Sequence, residues 1–166
     1  MNYSITKNGK PLDKKLYTID EKTKTFSSNE SGLVLDFSDE YGWVFDTSFD
    51  CTFKTGSYCT FKTGFDCTFD TGSGCTFETS FDCTFETSSD CTFDTGSSCI
   101  FNTGYKCVVV RRDIYEVIEL EEGKKIKLND YGVKGYKVLV KKAKEVQELT
   151  VAEVSEKLGY DVKIIK

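Results

Sequence analysis

Hydrophobic and polar residues alternate through the middle of the chain with a period of eight. From Cys51 a cysteine recurs at every eighth position up to Cys107, and a phenylalanine follows two positions later in all but the last unit. Alternate side chains of a β-strand point to opposite faces, so in Cys-Thr-Phe-x-Thr the cysteine and phenylalanine face inward and the intervening threonine outward. The following Gly or Ser and its neighbour predict a turn, since glycine adopts positive φ at low steric cost. Each unit is therefore one short strand and one turn.

Strand and turn units at a fixed short period predict a β-solenoid, in which each coil buries its apolar face against its neighbours. The turns indicate how many units close one coil, because Phe-Asp occurs at every second turn, at 49–50, 65–66 and 81–82. Two eight-residue units per coil would stack these pairs on one edge, whereas a three-sided coil would scatter them. We therefore predict an all-β, two-sheet β-solenoid of about five coils.

The predicted core contains facing phenylalanine ladders with cysteines stacked beside them as small buried fillers. Extending the frame backwards puts Trp43 and Leu35 in the cysteine phase, and Phe45 and Phe37 in the phenylalanine phase. The repeat residues assigned to the core are Cys51, Phe53, Cys59, Phe61, Cys67, Phe69, Cys75, Phe77, Cys83, Phe85, Cys91, Phe93, Cys99, Phe101 and Cys107.

The pattern changes at both ends of the repeat. The N-terminal runs YSIT and KLYTID are strand-like and flank an Asn8-Gly9 turn signal. Near the C-terminus, Thr150 and Glu153 have the spacing of a capping box, and Gly159 ends the predicted helix before a last strand, DVKIIK. These changes divide the chain into an N-terminal β cap, the octapeptide solenoid, a β-rich C-terminal cap and a helix-strand tail module: residues 1–34, 35–114, 115–142 and 143–166.

The repeat is acidic. Residues 35–106 carry 12 acidic and 3 basic side chains, in a chain whose net charge is −5. Direct binding to nucleic acid is not expected of such a body, because phosphate contacts need a basic face. The sequence shows no signal-peptide core and no membrane-length apolar run, so we expect a protein of the reducing host cytoplasm or of a virion, without membrane contact.

Catalysis is not expected from this composition. The chain has no histidine, the commonest general base, and its eight cysteines occupy equivalent apolar phases in which burial raises the pKa of a thiol. Thiolate metal sites have local Cys-x-x-Cys spacing, which is absent here. We therefore predict no enzyme activity, no cofactor and no metal.

Cation binding and ice binding are minor alternatives. The edge row Asp50, Asp66 and Asp82 would bring like charges within one strand spacing, which a calcium ion would relieve, but the chain lacks the Gly-Gly-x-Gly-x-Asp pattern of calcium-binding rolls. Outward threonines recur as in an ice-binding surface, yet the next outward position is mostly charged. The β propensity of threonine on a pleated face accounts for its recurrence.

The units CTFKTGSYCTFKTGFDCTFD, entered through GWVFDTSFD and left through CVVVRRDIYEVIELEEGKKIKLN, resemble octapeptide-repeat proteins of bacteriophage and prophage genomes. The resemblance covers roughly residues 17–136 and implies a phage origin and a solenoid, with no activity and no functional residues. The segment LTVAEVSEKLGY is similar to the first helix of excisionase-like DNA-binding domains. Because no second, recognition helix follows it, we do not expect DNA binding.

Two modes of binding remain. In the first, the edge residues Phe49, Phe65 and Phe81, with Asp50, Asp66 and Asp82, contact a protein partner. In the second, outward carboxylates form an acidic face that imitates a nucleic-acid backbone and occupies a basic groove of a host protein. We therefore predict a host-factor antagonist that acts by binding. Because the aromatic edge could also dock on a second copy of the chain, the alternative is a self-associating structural or accessory virion protein, a possible homo-oligomer. The residues assigned to the acidic face are Asp70, Glu78, Glu86 and Asp94.

Overall fold

A computed structural model describes residues 2–140 together with residues 155, 156 and 159. Within residues 2–140 the regular elements are β-strands, apart from a short 3-10 helix at Lys14–Leu16. The strands form one sheet of nine and one of eight. In chain order they are β1 (Ser4–Lys7), β2 (Lys10–Pro11), β3 (Thr18–Asp20), β4 (Thr25–Ser28), β5 (Leu33–Phe37), β6 (Val44–Thr47), β7 (Thr52–Thr55), β8 (Thr60–Lys62), β9 (Thr68–Thr71), β10 (Thr76–Glu78), β11 (Thr84–Thr87), β12 (Thr92–Thr95), β13 (Ile100–Asn102), β14 (Cys107–Arg111), β15 (Glu116–Leu120), β16 (Ile126–Leu128) and β17 (Tyr136–Val138).

Successive strands from β4 to β14 alternate between the two sheets and run parallel to their neighbours within each sheet. From β6 onward each strand of the repeat pairs with the strand two units later, as Phe45 does with Phe61 and Phe69 with Phe85. A coil is therefore one strand from each sheet. The predicted two-sheet β-solenoid with two eight-residue units per coil is confirmed.

Antiparallel strands cover both ends of the parallel stack. At the N-terminal end β1 pairs with β5, and β3 pairs with β4, so the stack itself begins at β4. Asn8 and Gly9 both have positive φ, 53° and 72°, and join β1 to β2 in a hairpin. At the C-terminal end β15 pairs with β14, while β16 and β17 extend the other sheet from β13. Antiparallel ends keep the parallel strands of the repeat from being exposed sheet edges.

The first coil departs from the repeat period. Leu35 pairs with Phe53, and Phe26 pairs with Phe45, so both steps are longer than two periods of eight. Leu35 thus takes the phenylalanine position, and the prediction that gave this position to Phe37 and the cysteine phase to Leu35 is wrong. The segment between β5 and β6 is two residues longer than the turn between β6 and β7. Because strands have a side-chain period of two, this shift leaves the same residues facing inward.

Two columns of phenylalanines fill the space between the sheets. Rings within a column stack with centroids 4.8–5.2 Å apart and interplanar angles of 4–9°. Rings of opposite columns meet edge to face at 4.9–5.6 Å, a geometry that adds about 0.5–1.5 kcal/mol per pair beyond burial. The predicted phenylalanine ladders are confirmed, with every ring at most 1% exposed: Phe45, Phe61, Phe77 and Phe93 in one column, and Phe53, Phe69, Phe85 and Phe101 in the other.

The cysteines form two ladders, one beneath each edge of the roll. All eight are free thiols and at most 1% exposed, and Trp43 continues the cysteine phase in the core. The thiols donate to turn carbonyls, as Cys107 does to the oxygen of Ser88 at 3.4 Å. The cysteine ladders are thus also confirmed.

The predicted tail module, residues 143–166, lies mostly outside the described residues. Ser155 and Glu156 are helical, and the N–H of Gly159, with φ 73°, donates to the carbonyl of Ser155 at 2.9 Å. In the part of the chain that is described, no helix has the length and apolar composition to cross a membrane.

Candidate functional site

The predicted contact residues lie together on one edge of the roll, at the turns that lead from the eight-stranded sheet to the nine-stranded sheet. The rings of Phe49 and Phe65 stack 4.8 Å apart with an interplanar angle of 5°, and those of Phe65 and Phe81 stack 5.2 Å apart at 4°. We call these three rings the aromatic strip. Phe49 is 40% exposed and Phe81 47%, and Phe65 is half-buried between them.

The aspartate after each of these rings has a structural role in the turn. Asp50, Asp66 and Asp82 adopt left-handed φ values of 56–58°, a region that aspartate tolerates better than most residues. Their N–H groups donate across coils: Asp50 donates to the carbonyl of Phe65 at 3.0 Å, and Asp66 to that of Phe81 at 3.2 Å. The backbone hydrogen bonding of the sheets therefore continues through the edge.

Glycine serves a different purpose in these turns from the one predicted. The positive φ falls on the residue directly before each cysteine, and not on the glycine that follows the strand. A Cβ at Gly56 would lie 2.4 Å from the carbonyl oxygen of Glu40 in the coil before it. Glycine is needed there because the neighbouring coil's backbone comes too close for a side chain.

The turn itself does not require phenylalanine. The position equivalent to Phe49 in other units is serine at 57, 73, 89 and 97, and the residue after it has positive φ in every case. On the opposite edge serine serves the backbone, since the Ser57 hydroxyl accepts from the N–H of Ser73 at 3.1 Å. The aromatic strip is thus an apolar surface added to turns that form equally well without it.

The aspartates beside the strip are exposed, and the described part of the chain places no cation in an ion pair with them. In residues 2–140, none of the ion pairs involves Asp50, Asp66 or Asp82. The edge therefore combines an apolar column with one uncompensated carboxylate per coil. Such a surface fits a partner that is both apolar and basic.

The residues predicted to form one acidic face do not lie together. Asp70 and Glu86 are on the nine-stranded sheet, whereas Glu78 and Asp94 are on the eight-stranded sheet, on the opposite side of the roll. Two units per coil place alternate units on opposite faces of the roll, so the prediction of one acidic face is wrong.

Basic residues also neutralise much of this charge. The Nε of Arg112 lies 2.9 Å from Asp94 Oδ1, and the Nζ of Lys125 lies 2.8 Å from Glu86 Oε1. Lys54 is the in-register neighbour of Asp70 on the next strand. Neither face presents an unbroken acidic array.

The thiols of each ladder hydrogen-bond to their neighbours in the stack. These hydrogen bonds act in alternating directions, and burial raises the pKa throughout: the net pKa is raised at Cys51, Cys75, Cys83 and Cys107 and lowered at Cys59, Cys67, Cys91 and Cys99. Because every thiol is at most 1% exposed, a reagent in solution does not reach the ladders of the folded protein. Among the described residues, no group of three or more Cys, Asp or Glu side chains is arranged to hold a metal ion.

A buried charged cluster at the C-terminal cap was not predicted. Arg111 is fully buried, and its guanidinium makes a two-pronged contact with Asp113, with the shorter N–O distance at 2.7 Å. It also donates to the carbonyl of Val133 at 2.7 Å, while both carboxylate oxygens of Glu116 accept from the N–H of Gly135 at 3.0 Å. The cluster fastens the loop before β17 to the end of the solenoid. The repeat pattern could have predicted the burial of Arg111, because this residue occupies the fifth position of its unit, which faces inward.

Comparison of the chain with protein-family models, with curated proteins and with solved structures finds no match. The resemblance to phage octapeptide repeats thus stays a prediction based on sequence motifs, and the geometry of the aromatic edge is the basis for a functional proposal.

Proposed function

We propose that this protein is a non-catalytic protein-binding module whose partner contacts the aromatic strip and the aspartate row beside it. The observation that carries the proposal is the exposed column of three stacked phenylalanines at turn positions where serine is sufficient. Exposed apolar patches and aromatic residues are typical of contact surfaces. In this proposal the protein acts by occupying a surface of a host protein and thereby antagonising it.

Imitation of a nucleic acid has less support than contact through the edge. A mimic needs a continuous line of negative charge, as phosphates provide. On the nine-stranded sheet Lys54 separates Asp36 from Asp70, and on the eight-stranded sheet Lys62 separates Asp46 from Glu78. Within the described part of the repeat, the unbroken acidic row that we find is the one beside the aromatic strip.

The experiment is affinity capture from a bacterial lysate, with and without nuclease, using three forms of the full-length chain. The first is wild type, the second carries Phe49→Ser, Phe65→Ser and Phe81→Ser, and the third carries Tyr58→Ser and Tyr105→Ser. The tyrosines are matched controls because they are 70% and 52% exposed on the opposite edge. Far-UV circular dichroism and thermal melting establish that each variant is folded.

We expect wild type and the tyrosine variant to retain the same defined protein after nuclease treatment, and the phenylalanine variant to lose it while remaining folded. Retention that is equal for all three forms would contradict a role for the strip. If wild type enriches only its own chain and light scattering shows a concentration-dependent mass, self-association replaces antagonism as the function. Unfolding of the phenylalanine variant would show that the strip belongs to the core.

A further inference from the structure

We infer that the element recognised by the aromatic strip is a basic amphipathic α-helix lying along the solenoid axis. This inference rests on the proposed function and specifies the chemistry of the partner. It follows from the spacing of the rings, from the charge beside them and from the way in which the rings are exposed.

The spacing of the strip matches a helix and not an extended chain. Steps of 4.8 Å and 5.2 Å carry the strip about 10 Å from the ring of Phe49 to that of Phe81, close to the ~10.5 Å that seven residues of an α-helix span. Apolar residues at i, i+3 or i+4, and i+7 of a helix therefore meet the three rings in turn. An extended strand spans about 13 Å between the first and third side chains of one face, and loses register with the strip.

The mode of ring exposure favours aliphatic side chains on that helix. Because the three rings stack with interplanar angles of 4–5°, both faces of Phe65 and one face each of Phe49 and Phe81 are covered by a neighbouring ring. A cation gains most over a ring face, and the stacking covers four of the six ring faces of the strip. Leucine-like side chains can pack against the row of edges, while the cations of the helix pair with carboxylates.

The charge beside the strip excludes a second copy as the preferred occupant. Asp50, Asp66 and Asp82 supply one exposed carboxylate per coil, without an ion-pair partner in residues 2–140. Two such edges brought together would place six carboxylates near one interface, and the repulsion between these like charges would disfavour a dimer through this edge. Lysines or arginines that flank the apolar stripe of a helix would instead neutralise the row.

The test uses three synthetic peptides of equal length and the full-length protein. One peptide has leucines at i, i+3 or i+4, and i+7 with flanking lysines; the second replaces the lysines with glutamates; the third scrambles the first so that no apolar face forms. Binding is measured by fluorescence anisotropy, and peptide helicity by circular dichroism. The protein variants are Phe65→Ser, the edge triple Asp50→Asn, Asp66→Asn and Asp82→Asn, and a charge-matched face triple, Asp70→Asn, Glu78→Gln and Asp94→Asn.

We expect the lysine-leucine peptide to bind wild type with a gain in helicity, and its affinity to fall by about tenfold in the edge triple and in Phe65→Ser. The face triple removes the same number of charges and should stay within about twofold of wild type. Equal losses in the edge and face triples, or equal affinity of the scrambled peptide, would show non-specific attraction to an acidic protein and overturn the inference.

Failure of this inference and failure of the proposed function give different results. If the strip retains a lysate protein that the phenylalanine variant loses, but the helical peptide does not bind, the binding function stands and the helix assignment is wrong. If the phenylalanine variant and wild type retain the same proteins, the proposed function itself fails. A helical peptide bound at the edge, with the captured protein also released by that peptide, supports both.

Discussion

Phe77→Ala and Phe81→Ala form a matched pair that separates the core of the solenoid from its surface. Both phenylalanines belong to the same coil, and each stacks on the phenylalanine two units before it, Phe77 on Phe61 and Phe81 on Phe65. Phe77 is fully buried, whereas Phe81 is 47% exposed. We expect the first substitution to be severely destabilising and the second to be mild.

The magnitudes follow from the contacts of each ring. Phe77 stacks between Phe61 and Phe93 at 4.9 Å and 4.8 Å and meets two rings of the other column edge to face, so its removal leaves a cavity lined by packed rings. Truncation of such a residue costs about 3–5 kcal/mol. Phe81 buries only about half of its surface and contacts a single ring, which sets its loss at about 1–2 kcal/mol.

The assay is urea unfolding followed by far-UV circular dichroism and by the fluorescence of Trp43, the single tryptophan, which is buried near the N-terminal cap. Coincident transitions by the two probes would justify a two-state analysis of a repeat protein. If Phe81→Ala lowers the free energy of unfolding as much as Phe77→Ala, the aromatic strip is structural and the case for a binding edge fails. If Phe77→Ala costs under about 1 kcal/mol, the interlocked columns do not form the stabilising core.

Four further predictions test the turns, the C-terminal cluster and the thiols. Gly56→Ala should lower the free energy of unfolding by about 1–3 kcal/mol, because the new Cβ would lie 2.4 Å from a backbone oxygen. Gly96→Ala, whose Cβ would have no contact under 3.4 Å, should be near neutral. Equal effects of the two substitutions in urea unfolding would argue against close backbone contact at Gly56. Arg111→Met should cost about 3–5 kcal/mol, because it leaves the Asp113 carboxylate, whose side chain is 6% exposed, without its charged partner. Substitution of the half-exposed Arg112 by Met should cost about 0–1 kcal/mol, and similar losses for both variants would mean that the cluster does not fasten the cap. Burial raises the pKa of Asp113, but hydrogen bonds from Arg111 and from the N–H of Gly132, with the guanidinium charge, hold it below its ordinary value of 3.8. The ionised Asp113 therefore stabilises the fold above pH 3.8, and this stabilisation is lost as the pH falls through the lower pKa of the folded state. Asp113→Asn should therefore flatten the acid limb of stability against pH, and parallel curves for variant and wild type would disprove the link. All eight thiols should resist dithionitrobenzoate in the folded protein and react in urea, since none is more than 1% exposed; rapid labelling of the folded chain would show that a ladder opens to solvent.

The regular part of the fold was predictable because the same sequence pattern recurs in every unit. The period of eight and the inward cysteine and phenylalanine predicted one strand and one turn per unit, and the spacing of the Phe-Asp turns then predicted two strands per coil. The first coil could not be placed in the same way. Leu33, Leu35 and Phe37 are all apolar at a spacing of two, so a shift by two residues satisfies the alternation equally well. Only the length of the turn before β6 decides between the registers, and turn length has no hydrophobic signal.

The candidate site was predicted in composition more successfully than in arrangement. The stacking of Phe49, Phe65 and Phe81 followed from the coil length, because any residue recurs on the same edge after two units. The same rule should have separated Asp70 from Glu78, which are one unit apart and hence on opposite faces. The salt bridges of Arg112 and Lys125 could not be predicted from the sequence, since they depend on how the cap folds back over the repeat.

The coil length of two units also constrains how a gene for such a protein can change. Recombination between near-identical repeats adds or deletes whole units. A gain or loss of two units lengthens or shortens the rod by one rung of about 4.8 Å, and every side chain keeps its face and edge. A gain or loss of a single unit would place the strand that follows the repeat in the opposite sheet, so the C-terminal cap would pair with the wrong strand. Unequal crossing-over should therefore be tolerated only in pairs of units, so that rod length is heritable in steps while both ends stay closed.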